Sequence, residues 1–395
     1  MRVLWISPYA PYDSVGHGGG QNHNHCIKYV KEKTDFDITL VSVCKEEEIS
    51  KLDLNEYGID NIVKVYHRNL FSKIENAFGK VFFKRDGGLL NNRIYHLLLK
   101  AIKEYSMRKI KPDIIITQWT EATLMYEKIR KFFPDSRYIA IEEDVAFLGF
   151  QRKYEKASGF HRLIMKKKYD ILKNAEVKTL QKYDVVVVLN ERDKNLLLKE
   201  DIPENKIIQM CAYHGLCKPV VYNPNIHQIL FYGAMNRKEN FLSVIWFIEN
   251  VMDKLDKSYK LVVAGANPTA EVMKYKSDRI IITGFVDDIT PYFAESLCLA
   301  SPLLLGAGIK IKILEALSAG IPVVTNSIGA EGINLTDGVN YLHCEDPDDY
   351  VNAINKLSND LELRNRLSEN GKLHIAKNFD TDSSLDLIID KMRTF

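Results

Sequence analysis

The chain has 395 residues, more than one ordinary domain holds, so two domains of roughly 150–200 residues are expected. With 46% hydrophobic and 27% charged residues it has the composition of a globular protein with full-sized cores, and no run of about 18 apolar residues offers a membrane span. The net charge of +2 conceals a basic middle, in which residues 61–200 carry 29 Lys+Arg against 17 Asp+Glu. That middle includes Lys80–Arg85 and His161–Lys168 with apolar neighbours. Such a composition suits contact with anionic lipid or a phosphorylated acceptor, or equally a solvated Lys-rich helix face. The six cysteines are scattered without a CxxC pair, which points to reduced thiols in a cytoplasmic protein and away from disulfides or a zinc site. The opening MRVLWISPY is too short in its apolar part for a signal peptide and reads as a first strand.

Taken in chain order, the first half offers the apolar runs VLWIS (3–7), ITLVSV (38–43), IVKVYH (62–67), DIIITQW (113–119), YIAIEE (138–143) and VVVVLN (185–190). The second half offers QILFYGAM (228–235), LVVAGA (261–266), IIITGFV (280–286), SLCLASPL (296–303) and PVVTN (322–326). Between them lie amphipathic stretches such as 240–255 and 348–370. Continuous apolar strands separated by helices are the pattern of parallel sheets covered on both faces. Two successive sets predict an α/β chain of two Rossmann-like domains. The first spans residues 1–205, the second 227–379, and a Pro-broken linker of 206–226 separates them. The last segment, 380–395, follows a complete second domain and is expected to pack back on the first.

The stretch GAGIKIKILEALSAGIPVV (306–324) carries the most chemistry. As a helix starting near Gly308, it places Ile309, Ile313, Ala316, Leu317 and Gly320 on one buried face, with Lys312 and Glu315 on an adjacent stripe. Gly320 suits the C-terminus, and Pro322 then precedes a strand. Lysines normally favour the last turn of a helix, so Lys310 and Lys312 in the first turn imply an anion there, beside the free N–H groups. Glu315, one turn further in, is placed to accept from a ribose diol. A plain surface pair of Lys312 and Glu315 is the alternative. The Gly run at 18–20, after the first strand, lets backbone approach a ligand closely, or serves as a flexible turn. His17, His23 and His25 do not share a helix face, so no metal site is expected. DFD (35–37) reads as a solvated turn. GxGxxG followed by an acidic strand end is missing, which argues against a dinucleotide-dependent dehydrogenase.

These residues resemble the nucleotide-sugar signature of GT-B glycosyltransferases of the large retaining family 4. The segments FYGAMNRKENFLSVIWFIENV, LVVAGANP, IIITGFVDDITPYF, SPLLLGAGIKIKILEALSAGIPVV and NSIGAEGI stand in that family's order. The likeness is strongest to a branch with a Gly-x-Gly-x-Lys-x-Lys-x-x-Glu-Ala run. It implies a GT-B fold whose two Rossmann-like domains set parallel sheets across a cleft. It also implies that Gly233, Asn240, Phe285, Val286, Gly308, Lys310, Lys312 and Glu315 hold a nucleotide-diphosphate sugar, the two lysines on the diphosphate. Glu315 matches the family's second glutamate, whereas the first falls at Ala307. Arg237 and Lys238 are displaced from the usual basic pair, because Ala234 follows Gly233. In the first half, Gly19, Gly20 and Gln21 match the family's Gly-rich loop on the acceptor and phosphate side. The customary histidine after the fourth strand is missing from Gln118-Trp-Thr-Glu121, where Glu121 or Gln118 is the candidate replacement. Glu142 and Asp144 are candidates to orient an acceptor hydroxyl.

The function implied is transfer of a sugar from a nucleotide-diphosphate sugar to a glycan, lipid-linked or protein acceptor, with retention of configuration. No metal or other cofactor and no nucleic-acid partner is expected. The basic first domain implies peripheral contact with the inner membrane face. An alternative on the same fold is a sugar-nucleotide epimerase, or a partner subunit that binds nucleotide sugar without turnover.

Overall fold

Each of the eleven apolar runs forms a strand, because β-branched and aliphatic side chains with no polar face are stable only when covered on both sides. The computed structural model describes the chain except residues 14, 16, 17, 53, 55, 56, 68–88, 90, 214 and 306–308. His17, Ala307, Gly308 and the basic run 80–85 therefore lie outside the described residues. Contacts divide the chain into two compact units, Met1–Tyr213 with Thr381–Phe395, and His214–Asp380.

The first unit holds β1 (Arg2–Ser7), β2 (Asp37–Lys45), β3 (Asp60–Tyr66), β4 (Ile114–Gln118), β5 (Arg137–Glu142), β6 (Val185–Val188) and β7 (Ile207–Gln209). They form one parallel sheet in the order β3-β2-β1-β4-β5-β6-β7. Alternation along β1 sends Leu4 and Ile6 into one core and Val3 and Trp5 into the other. Its longer helices are α1 (Gly18–Lys33), α2 (Asn92–Met107), α3 (Ala146–Lys156) and α4 (Gly159–Leu180). The short β7 lies inside the stretch read from sequence as linker; three residues are too few to show a period.

The second unit holds β8 (Asn225–Tyr232), β9 (Lys260–Ala264), β10 (Ile280–Gly284), β11 (Ser296–Ser301), β12 (Val323–Thr325) and β13 (Leu342–His343), in the parallel order β10-β9-β8-β11-β12-β13. Its longer helices are α5 (Lys238–Phe247), α6 (Ile311–Ala319), α7 (Pro347–Asn359) and α8 (Leu361–Asn378). Two expected helices are corrected. The stretch 240–255 leaves α-geometry after Phe247 for a π-turn at Ile248–Met252. The stretch 348–370 breaks at Asp360, which ends α7 and whose side chain accepts the Leu363 N–H at the start of α8.

The final helix, α9 (Thr381–Arg393), belongs to the first unit. Leu385, Ile388, Ile389 and Met392, spaced as one helical face, join Cys26, Ile27 and Val30 of α1 in a shared core. Tyr29 donates to Asp386 at 3.0 Å, and His25 pairs with Asp382 at 2.7 Å.

In each sheet the strand order reverses once, beside β1 and β4 in the first unit and beside β8 and β11 in the second. A topological switch point opens a crevice at the carboxyl ends of parallel strands.

Candidate functional site

In the second unit, β8 runs into Gly233 (φ +144°) and β9 into Gly265 (φ +154°). A Cβ on Gly265 would lie 1.9 Å from the carbonyl oxygen of Gly233, so only glycine lets these strand ends touch. Gly233 in turn lies beneath two side chains: a Cβ there would meet Asn240 Nδ2 at 2.8 Å and Lys312 Nζ at 2.9 Å. Lys312 Nζ donates to Asn240 Oδ1 at 2.6 Å, and Asn240 Nδ2 donates to the Ala234 carbonyl at 2.8 Å. The lysine is thereby aimed at the switch point, with its ammonium 4.9 Å from the Phe231 ring centroid.

Helix α6 begins at Ile311, three residues later than the sequence pattern suggests. Lys310 stands at its cap in an extended conformation (φ −99°, ψ 99°), and Lys312 falls in the first turn. Ile313, Ala316 and Leu317 are buried as expected, and Gly320 closes the helix in the left-handed conformation. Burial is the main cause that pushes the Lys312 amine down to about 7, with the Glu239 carboxylate pulling it back. Burial likewise raises the Glu315 carboxyl to about 7, opposed by Lys312 and by hydrogen bonding with Tyr232. Lys312, over Gly233, and Glu315 are thus both brought close to neutrality by burial.

Lys310 is nearly buried and lies 3.5 Å from Glu331. Glu331, inside the segment NSIGAEGI but given no role from sequence, belongs to the turn after β12. That turn is built by Asn326, whose Oδ1 accepts the Gly329 N–H at 3.1 Å and whose Nδ2 donates to the Leu303 carbonyl at 2.8 Å. Gly329 has no room for a side chain: its Cβ would sit 1.9 Å from Thr325 Oγ1. Phe285, after β10, is 72% exposed, and Val286 is half-buried. Arg237 pairs with Glu239, at the start of α5.

In the first unit the carboxylates are distributed otherwise than the sequence suggests. Glu142 is buried, accepting from Thr120, and Asp144 is exposed. The residue between them, Glu143, joins the ends of three elements. Its Oε1 accepts from Gln118 Nε2 at 2.7 Å and from Asn22 Nδ2 at 3.0 Å, while Trp5 Nε1 donates to Gln118 Oε1 at 3.0 Å. Burial raises the Glu143 carboxyl to about 8, the two amides opposing the rise. Gln118, not Glu121, thus continues β4 into this network. Glu121 instead faces the Tyr9 hydroxyl at 3.5 Å. Sequence reasoning missed Glu143, because the alternation of a strand does not say which residue beyond its end turns inward.

Gly19 and Gly20 lie in the first turn of α1, with Gln21 half-buried after them. His23 is buried against Trp119, ring centroids 5.1 Å apart and edge-on at 84°. Desolvation pushes the His23 imidazole down to about 3, so it is neutral. Among the described residues, no group of three His, Cys, Asp or Glu side chains stands together as a metal site, and no helix is long and apolar enough to cross a membrane.

The family model described as "Glycosyl transferases group 1" matches residues 226–360. An uncharacterized 44.6 kDa protein of the cps region of Klebsiella pneumoniae is 24% identical over 406 residues, covering 96% of this chain and 97% of that one. Sucrose-phosphate synthase from Thermosynechococcus elongatus superposes with a TM-score of 0.68 at 13% identity, over 100% of this chain and 99% of that one. HepE of Anabaena, solved in complex with UDP-glucose, gives 0.61 at 13% identity over 100% of both chains. The fold of two parallel sheets matches that of these structures over their full length. The chain thus has the GT-B fold, and its residues 226–360 match the family model of the group 1 glycosyl transferases.

Proposed function

We propose that this protein transfers a sugar from a nucleotide-diphosphate sugar to a hydroxyl-bearing acceptor with retention of configuration, without a metal. The observation that carries the reading is Lys312, held largely buried over Gly233 by Asn240 and in no ion pair with a carboxylate among the described residues. Burial makes the ammonium form of Lys312 costly, and a diphosphate would supply the charge that pairs with it. Lys310 and the first N–H groups of α6 add to the same electrostatic hold. As the sugar–phosphate bond breaks, negative charge grows on the departing diphosphate, where fixed cations lower the barrier. Glu315 would accept from the ribose hydroxyls, and Gly233, Asn240, Gly308, Phe285 and Val286 would line the nucleotide.

The acceptor belongs to the first unit, with Gly19, Gly20 and Gln21 on its side and Glu121 and Asp144 as candidates to orient its hydroxyl. A glycan, lipid-linked or protein acceptor fits, and the cps-region relative supports a polysaccharide. Phe160 (77% exposed) and Leu163 (65% exposed) share one face of α4 beside Arg162 and Lys166, a surface suited to anionic lipid at the inner membrane face.

Thermal-shift screening against UDP-, GDP-, ADP- and dTDP-sugars, followed by release of nucleoside diphosphate, tests the reading. Expected are a shift with one nucleotide class and slow hydrolysis of its sugar, both lost in Lys312→Ala. Equal binding by wild type and Lys312→Ala would sink the donor site. Tight binding without release would favour the non-transferring partner, for which the alanine at 307 speaks.

A further inference from the structure

Trp119 follows β4 with φ +68° and ψ +145°, a backbone conformation that a bulky residue adopts only when its surroundings impose it. The surroundings are aromatic. The indole plane stands nearly perpendicular to the rings of His23, centroids 5.1 Å apart, and Tyr9, 5.2 Å apart, which holds it in place. That N–H has no hydrogen-bond partner among the described residues. Nor has Glu143 Oε2, since Gln118 and Asn22 both donate to Oε1. Neither atom is sealed away from solvent. Both face the bare Cα of Gly19: a Cβ there would stand 3.3 Å from Glu143 Oε2 and 3.4 Å from Trp119 Nε1. Gly19 has ordinary helical backbone in α1, so the conformation does not require a glycine. The missing side chain instead leaves two polar atoms open over one spot.

We propose that Gly19, Trp119 and Glu143 form a notch that binds one hydroxyl of a sugar, its oxygen accepting from the indole N–H and its hydrogen bond to Glu143 completing the pair. A hydroxyl is both donor and acceptor, which matches one N–H and one carboxyl oxygen. Burial, which raises the Glu143 carboxyl to about 8, leaves it mostly uncharged at neutral pH, able like the hydroxyl itself both to donate and to accept, and this suits a neutral ligand. The assignment deepens the transferase reading and rests on it for the choice of a sugar. The hydroxyl belongs either to the transferred sugar of the donor or to the acceptor sugar.

The test uses the full chain and two probes. Calorimetry compares UDP-glucose with UDP; saturation-transfer NMR follows glucose, galactose, mannose and N-acetylglucosamine with and without UDP. The variants are Gly19→Ala, Trp119→Phe and Glu143→Ala. Trp119→Phe removes the N–H while keeping an aromatic ring in the packing. If the donor supplies the hydroxyl, the preference for UDP-glucose over UDP falls about tenfold in Gly19→Ala and three- to tenfold in Trp119→Phe. If the acceptor supplies it, that preference stays and the free-sugar signal is lost in the same variants. Unchanged sugar binding in all three variants would overturn the notch while leaving the transferase reading intact. Wild-type protein that binds no nucleotide would defeat the reading; the free-sugar signal then decides the notch alone, which survives if Gly19→Ala removes the signal and falls if wild type gives none.

Discussion

Gly265 and Gly19 each lie beside a switch point, one per unit, and their missing side chains serve opposite ends. At Gly265 the place of the Cβ is taken by protein, the carbonyl of Gly233 at 1.9 Å. At Gly19 the nearest neighbours are a carboxyl oxygen and an indole nitrogen at 3.3 and 3.4 Å, and neither is held by the other. The first glycine is needed for the backbone to close; the second keeps a space. The charge differs in parallel. Strand ends of the second unit bring Lys310 and Lys312 together, while those of the first bring Glu121, Glu142 and Glu143. In the proposed reading one doubly wound plan supplies a place for an anion and a place for a neutral hydroxyl, according to which ionisable residues follow the strands.

The sharpest way to break this contrast is to fill both glycines. Gly265→Ala forces a Cβ into backbone at a φ of +154°, and a loss of about 3 kcal/mol or more in unfolding free energy is expected. Gly19→Ala meets only side chains and gains helix propensity, so its stability should stay within about 1 kcal/mol of wild type. Denaturant unfolding of the two variants measures both. Equal losses would show that Gly19 is structural too.

Next in size is the anion site. Lys312→Ala should weaken nucleoside diphosphate binding about 30- to 100-fold, as expected for a charge-assisted bond of roughly 2–3 kcal/mol in a partly buried setting. Binding should also take up a proton, because the amine near 7 is returned toward its ordinary value by the bound anion. Calorimetry in buffers of different ionisation enthalpy reads this uptake. Buffer-independent heats at pH 7.5 would contradict it.

A smaller effect is the pH dependence of the unliganded protein. Glu143 and Glu315 are raised to about 8 and 7, and Glu142 and Glu176 are also raised by burial. A carboxyl whose folded pKa exceeds its unfolded value stabilises fully below the unfolded value of 4.5, and that contribution is lost as pH rises through the folded one. Lys312 acts in the opposite sense: with its pKa lowered from 10.5 to about 7, its stabilisation is present above 10.5 and is lost as pH falls through 7. The melting temperature should therefore fall from pH 5 to pH 8, and Glu142→Gln should flatten part of the fall. A melting temperature that rises across that window would show these carboxyls to be ionised in the folded state.

Much of the fold was legible because a buried parallel strand must be apolar throughout and a helix must not be. That contrast marked eleven of the thirteen strands among the described residues. It failed at β7 and β13, of three and two residues, where partners in the sheet decide the conformation and not the local sequence. It failed again at Asp360, since the helical period continues across the break. The lysines of α6 were legible because charge in a helix's first turn runs against its dipole.

The sequence by itself determined two α/β units and the apolar runs that become their strands, and it singled out Lys310, Lys312 and Glu315 as the residues of the proposed donor site. Only the tertiary structure decided that Glu143 and not its neighbours meets Gln118 and Asn22, that Glu331 reaches Lys310, and that Trp119 turns its N–H toward Gly19. The physical reason is one of range. Hydrophobic period and helix polarity act between residues a few positions apart, and the chain prints them in order. The Glu143 contacts join side chains 25 and 121 positions apart. Their meeting depends on sheet order and on the turn each strand makes as it ends.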